Sequence, residues 1–134
     1  SSDVCSSDLT GSFPMSGIGR VALQFNNLQT LDLSSNPKLM QLNASYNLLE
    51  TLDLSLCPKL QSLYCSFNHL TSVCLNHCRD ILYIDLCNNL LNKEKLDLLF
   101  SQLPHRTKRA MIYYLENPGS EFSDYHLLKL KNWD

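Results

Sequence analysis

The chain writes the frame LxxLxLxxN seven times in succession, and the steps between copies alternate between ten and eleven residues. The copies begin at Ile18, Leu28, Leu39, Leu49, Leu60, Leu70 and Ile81, so two steps make a period of 21. A fixed period of this length marks a stack of like units, none of which can bury its apolar side alone. Only neighbours laid on one another close such a core. The spacing therefore constrains the chain to a solenoid before any local propensity is weighed.

Within each copy the first, fourth and sixth positions are apolar, and the ninth is Asn or Cys. The central pair alternates with a period of two, as in a short strand with one buried face. The copies fall into two sets. One carries Val21, Leu23, Asn26; Leu42, Ala44, Asn47; Leu63, Cys65, Asn68; and Ile84, Leu86, Asn89. The four asparagines Asn26, Asn47, Asn68 and Asn89 each stand one full period from the next and predict a ladder of stacked amides. Each amide can then serve backbone groups that burial would leave without partners. The second set ends in Asn36, Cys57 and Cys78, with Pro37 and Pro58 following the first two. Proline suits a turn that needs no ladder donor.

These residues resemble the leucine-rich repeats, more narrowly the bacterial class in which both halves of a 21-residue unit carry the frame. The resemblance covers residues 18–91. It implies a short right-handed leucine-rich-repeat solenoid, mainly β with a parallel sheet and poor in helix. It places sheet strands near residues 20–24, 41–45, 62–66 and 83–87. The other half-repeats form the opposite wall as short strands or extended turns. At the usual strand spacing, the stack rises only about 15 Å. A solenoid this short needs caps on its ends.

Both ends depart from the frame. Residues 1–9, SSDVCSSDL, fit no repeat and look like one reading frame of a sequencing-library adaptor. They are set aside from fold reasoning, residues 10–17 are expected to be an irregular leader, and nothing follows from the lack of a signal peptide. Beyond Asn89, Asn92 reads as a helix N-cap. Leu96, Leu99, Phe100 and Leu103 then recur at helical spacing up to Pro104. Residues 111–115 read as a strand and Asn117-Pro118-Gly119 as a turn. Ser123 is expected to cap a short helix through Leu130. Residues 92–134 thus predict a mixed α/β C-terminal cap. Leu99-Phe100, Leu103-Pro104, Asn117-Pro118-Gly119 and Lys131-Asn132-Trp133 resemble the cap of surface leucine-rich-repeat proteins of Bacteroidetes-type bacteria, whose final strand would continue past Asp134.

Formal net charge is -2, and setting aside Asp3 and Asp8 brings it to zero, so no general attraction to nucleic acid follows. His105, Arg106, Lys108 and Arg109 read as a solvated loop before the cap strand. No apolar run reaches the length of a membrane span. Cys57 and Cys78, one coil apart, could approach within reach of a disulfide, although free buried thiols are the expected state. Cys74, His77 and Cys78 lack a second pair at ligand spacing, so no metal is expected.

The sequence has no GxSxG, HExxH, P-loop or GxGxxG, and its histidines (His69, His77, His105, His126) have no evident nucleophilic partner. No enzyme activity and no cofactor are expected. In the resembled family the exposed face of the sheet binds. Here that face would present Arg20, Gln41, Ser62 and Tyr83 at the third position, and Ala22, Asn43, Tyr64 and Asp85 at the fifth. Tyr64, Tyr83, Asp85, Asn43 and Gln41 are the candidate ligand-binding residues. Phe25, Tyr46 and Phe67 at the eighth position are expected to pack over the turn. The expectation is a monomeric, non-catalytic protein-interaction or adhesion module with a protein partner, cell-surface or secreted by resemblance. The alternative is a recognition arm of a larger bacterial enzyme or effector, although the LPxLP signature of effector ligases is missing.

Overall fold

A computed structural model describes residues 3–5, 11–12 and 19–134; Ile18, the first frame position, lies outside them. The chain is a parallel-sheet β-solenoid of about three turns with few helices and a small α/β cap. Its main sheet holds six short parallel strands. These are β1 (Asp3–Cys5), β3 (Arg20–Ala22), β5 (Gln41–Asn43), β7 (Ser62–Tyr64), β9 (Tyr83–Asp85) and β10 (Met111–Tyr113). The opposite wall carries β2 (Gly11–Ser12), β4 (Leu31–Asp32), β6 (Thr51–Asp53) and β8 (Ser72–Cys74), with β2 paired to β4 and β6 to β8.

Register follows the frame. Val21, Leu42, Leu63, Ile84 and Ile112 pair in sequence across the sheet, and all are buried. Leucines of the first, fourth and sixth positions from both walls fill the space between them. Because strand side chains alternate, stacking the buried column also stacks the two columns beside it on the outer face.

The ninth-position amides tie one coil to the next. Asn68 Nδ2 donates to Ala44 O in the preceding coil at 2.9 Å and to Cys65 O in its own at 3.3 Å. Its Oδ1 accepts from Leu49 N at 3.1 Å. Asn47 and Asn89 repeat the pattern one coil away in each direction. The residue before each ladder asparagine adopts a left-handed backbone: Phe25, Tyr46, Phe67 and Asn88 have φ of 60°, 59°, 56° and 56°. That conformation costs a non-glycine residue about 1–3 kcal/mol. The amide closes the turn around it and so holds it in place. Phe25, Tyr46 and Phe67 stack with ring centroids 4.6 and 4.5 Å apart.

In the other wall cysteine takes over one of these bonds. Cys57 Sγ donates to Leu33 O at 3.6 Å and Cys78 Sγ to Leu54 O at 3.3 Å, each reaching the carbonyl 24 residues back. Asn47, Asn68 and Asn89 reach back by the same distance in sequence. Cys57 and Cys78 are free thiols, not a bridge. Among the described residues Asn36 is the first of this column; it is fully buried and neither Nδ2 nor Oδ1 has a hydrogen-bond partner there.

The cap begins with α1 (Lys93–Gln102), whose N-cap Asn92 Oδ1 accepts from Lys95 N at 2.9 Å. Leu96, Leu99 and Phe100 face the core. Gln102 Oε1 accepts from Leu75 N, anchoring the helix to the opposite wall. Lys131 Nζ donates to Phe100 O, Ser101 O and Leu103 O at 3.0, 2.6 and 2.9 Å, closing the helix end where carbonyls lack partners. The chain then returns through β10 to the main sheet, shortening the expected 111–115 strand to Met111–Tyr113.

The structure corrects one sequence expectation, at Ser123, and adds to two others. Asn117, read as a turn residue, is also the fifth rung of the ladder. Its Nδ2 donates to Leu86 O and Tyr114 O at 2.9 and 2.8 Å, its Oδ1 accepts from Leu91 N at 3.0 Å, and Glu116 before it has φ 59°. Ser123 does not cap the last helix. Its hydroxyl donates to Ser120 O, while α2 (His126–Leu130) starts after Tyr125 with no side-chain cap. Residues 1–17 are not wholly outside the sheets. Asp3 pairs with Arg20, and Gly11 with Leu31. Both steps are shorter in sequence than the period of the frame. An open sheet edge accepts any extended backbone, so this pairing carries no mark of the repeat.

Gly119 is needed for close approach: a Cβ there would stand 2.1 Å from Lys93 N and 2.3 Å from Asn92 C. Trp133 is buried with Nε1 donating to Pro104 O at 2.9 Å.

Removing a satisfied rung should cost stability, and removing an unsatisfied one should not. Asn68→Ala is expected to lower stability by about 1–3 kcal/mol, because Leu49 N and Ala44 O lose a buried partner. Asn36→Cys, which follows Cys57 and Cys78 in kind, is expected to leave stability unchanged or raise it. Urea denaturation of the two variants checks both signs.

Candidate functional site

The outer face of the main sheet is built from the third and fifth frame positions. Alternation along each strand puts both outside, and the register aligns them between coils. Arg20, Gln41, Ser62, Tyr83 and Met111 form one column. Ala22, Asn43, Tyr64, Asp85 and Tyr113 form the next.

Three tyrosines converge at the C-terminal end of this face. Tyr83 lies between the other two, its ring centroid 4.8 Å from Tyr64 and 5.7 Å from Tyr113. Tyr64 and Tyr83 are half-buried and Tyr113 is 41% exposed. Tilted ring pairs at such distances suit the aromatic quadrupole. Asp85 sits beside Tyr83 on the same strand, with Tyr64 and Tyr113 as its neighbours on either side. Burial raises the Tyr83 phenol above its ordinary range, and the Asp85 charge adds to the shift.

Of the residues singled out from sequence, Tyr64, Tyr83 and Asp85 lie together. Asn43 is the cross-strand neighbour of Tyr64, and its Oδ1 accepts from Ser45 N at 3.2 Å. Gln41 is paired with Ser62, further from the rings. Tyr113 is not among the residues that the sequence singles out. Its signal is present, because Ile112, Tyr114 and Asn117 occupy the fourth, sixth and ninth positions of an eighth frame. The helical insertion lengthens the step from Asp85 to Tyr113 beyond one period and hides it.

The opposite wall presents different chemistry. Cys57 and Cys78 are buried, and desolvation pushes their thiols up to about 11 and about 12. Cys65, inside the main sheet, is pushed up further by the same cause. His77 Nδ1 lies 3.2 Å from Ser55 O. Among the described residues, no three of the His, Cys, Asp and Glu side chains converge on a metal position. A 370 Å³ depression lies between β6, β8 and α1, lined by Asp53, Cys74, Lys95 and Gln102 among others. A second, of 540 Å³, lies against Asn117, Pro118 and Glu121. Neither contains the tyrosines. No helix among the described residues is long and apolar enough to cross a membrane.

In the basic loop, Arg106 donates through Nη1 to Arg79 O at 2.7 Å, and Arg109 is paired with Asp134. Half of the cluster is therefore occupied within the fold.

Comparison with known protein families, with curated proteins and with solved structures finds no match to this chain.

The thiols make a pH prediction. A group whose folded pKa is raised contributes stability that is present below its unfolded pKa and is lost as pH rises toward the folded value. For Cys57 and Cys78 that window runs from about 9 to about 11 and about 12. Stability should fall across it, each thiol contributing a slope of up to about 1.4 kcal/mol per pH unit. Denaturation midpoints measured across this window should decline less steeply in Cys57→Ala than in the parent chain.

Proposed function

We propose that this chain is a non-catalytic interaction module of the leucine-rich-repeat type, related to the surface proteins of Bacteroidetes-type bacteria, that binds a protein partner through the outer face of its main sheet. The unbroken run of the repeat frame and the α/β cap support the repeat type. The cell-surface or secreted setting and the monomeric state follow the same resemblance.

The observation that carries the binding reading is the contiguous cluster of Tyr64, Tyr83 and Tyr113 around Asp85. Cross-strand tyrosine pairs add a fraction of a kcal/mol each to a sheet, about 0.2–1 kcal/mol. At an interface, the same side chains supply large contact area at small entropic cost, with a hydroxyl for orientation. The tyrosines line neither of the two depressions described above, which suits a macromolecular partner better than a small molecule needing an enclosing pocket.

Selection of displayed random peptides on the immobilised domain tests the site. Peptides that bind the parent chain should lose at least about tenfold in affinity, on the scale of an interface hot spot, when Tyr64→Ala and Tyr83→Ala are combined. Circular dichroism and the urea midpoint should show the fold retained. Selected peptides that bind the double variant as tightly as the parent would move the site off this face.

A further inference from the structure

Asp85 differs from its neighbours in a way that folding does not require. Its Oδ1 accepts from Cys87 N at 3.1 Å, closing a local turn at the end of the strand. Asn43, two coils earlier in the same column, performs that task with a neutral amide: its Oδ1 accepts from Ser45 N at 3.2 Å. Ala22 and Tyr64 hold the same column position without a side-chain acceptor, so the turn does not need a negative charge. The charge at 85 is surplus to the local structure, and it stands where the tyrosines gather.

Tyr64 and Tyr113 flank Asp85 on the two adjoining strands, and Tyr83 precedes it on its own. No ion pair among the described residues involves Asp85. The basic member of the same face, Arg20, stands on β3, three strands away. The spot is thus a carboxylate without a counter-ion, framed on three sides by phenol rings whose faces are electron-rich.

Resting on the reading of this face as the binding surface, we infer that Tyr64, Tyr83, Tyr113 and Asp85 form a seat for an arginine side chain carried by an extended segment of the protein partner. A guanidinium is planar and can stack on a tyrosine ring while its N–H groups donate to a carboxylate. It also meets the charge that the fold leaves uncompensated. An acidic segment would be repelled, and an aliphatic one would leave Asp85 desolvated without a partner.

Two probes test the assignment: a short Gly/Ser peptide bearing arginine at alternate positions, and the same peptide with citrulline in place of each arginine. Citrulline keeps the planar shape and removes the charge. Binding is followed through amide chemical shifts of the intact chain. The arginine peptide should bind about tenfold more tightly than the citrulline peptide, with shifts centred on Tyr64, Tyr83, Asp85 and Tyr113. Asp85→Asn keeps the turn by the Asn43 precedent and should bring the two affinities together. Equal affinities in the parent chain, an unchanged ratio in Asp85→Asn, or no localised shift at millimolar peptide each overturns the arginine seat. Equal affinities with shifts still centred on the tyrosines overturn the seat alone and leave the face as the binding surface. Arginine-dependent shifts lying elsewhere overturn both.

Discussion

The side-chain amide at the ninth frame position is the interaction on which the rest of this structure depends. One asparagine joins three backbone segments. Its N–H groups reach the carbonyl 24 residues back and another within its own turn, and its oxygen receives the amide 19 residues back. Backbone hydrogen bonds between coils continue past the three-residue strands, as from Ala44 N to Tyr64 O and from Tyr46 N to Ser66 O. The amides add to that ladder beyond the strand ends, and they satisfy buried groups that water cannot reach. They also close the left-handed turn that would otherwise be costly for residues such as Phe67 and Tyr46.

Fixing register at the edge has a consequence in the middle. A slip of one residue would turn every leucine outward, so the amides and the leucine columns enforce the same alignment. Once the inner columns are aligned, the outer ones must be as well. Tyr83 at a third position then falls between Tyr64 and Tyr113 at fifth positions of the adjoining coils. The aromatic cluster is built from three separate stretches of chain by a device that touches none of the rings.

Much of this is legible from spacing alone. The 21-residue period announces a solenoid, and the alternation within each copy separates inward from outward residues. Tyr64, Tyr83 and Asp85 can therefore be assigned to one face from the sequence. The hidden parts share one main cause. The helix Lys93–Gln102 interrupts the period, so the next coil returns out of step. Asn117 is then read only as part of an Asn-Pro-Gly turn, although its amide makes the same bonds as Asn89. Tyr113 disappears from the face for the same reason. Ser123 is a different case. Composition identifies residues able to cap, while backbone geometry decides which of them does; here its hydroxyl turns to Ser120 O instead. The substitution of Cys for Asn in the opposite wall is visible in the sequence, but only the geometry shows a thiol making the amide's bond to the preceding coil.

The most direct test of the account is native-state hydrogen exchange at Leu28, Leu49, Leu70 and Leu91. Their backbone N–H groups donate to Asn47, Asn68, Asn89 and Asn117 respectively. If the amide ladder holds the coils in register, these four protons should exchange only through global unfolding. In Asn68→Ala, protection should drop at Leu49 beyond the global loss of stability. Rapid exchange at these positions in the parent chain, or a Leu49 proton in the variant as protected as global unfolding allows, would contradict the ladder as the element on which the fold depends.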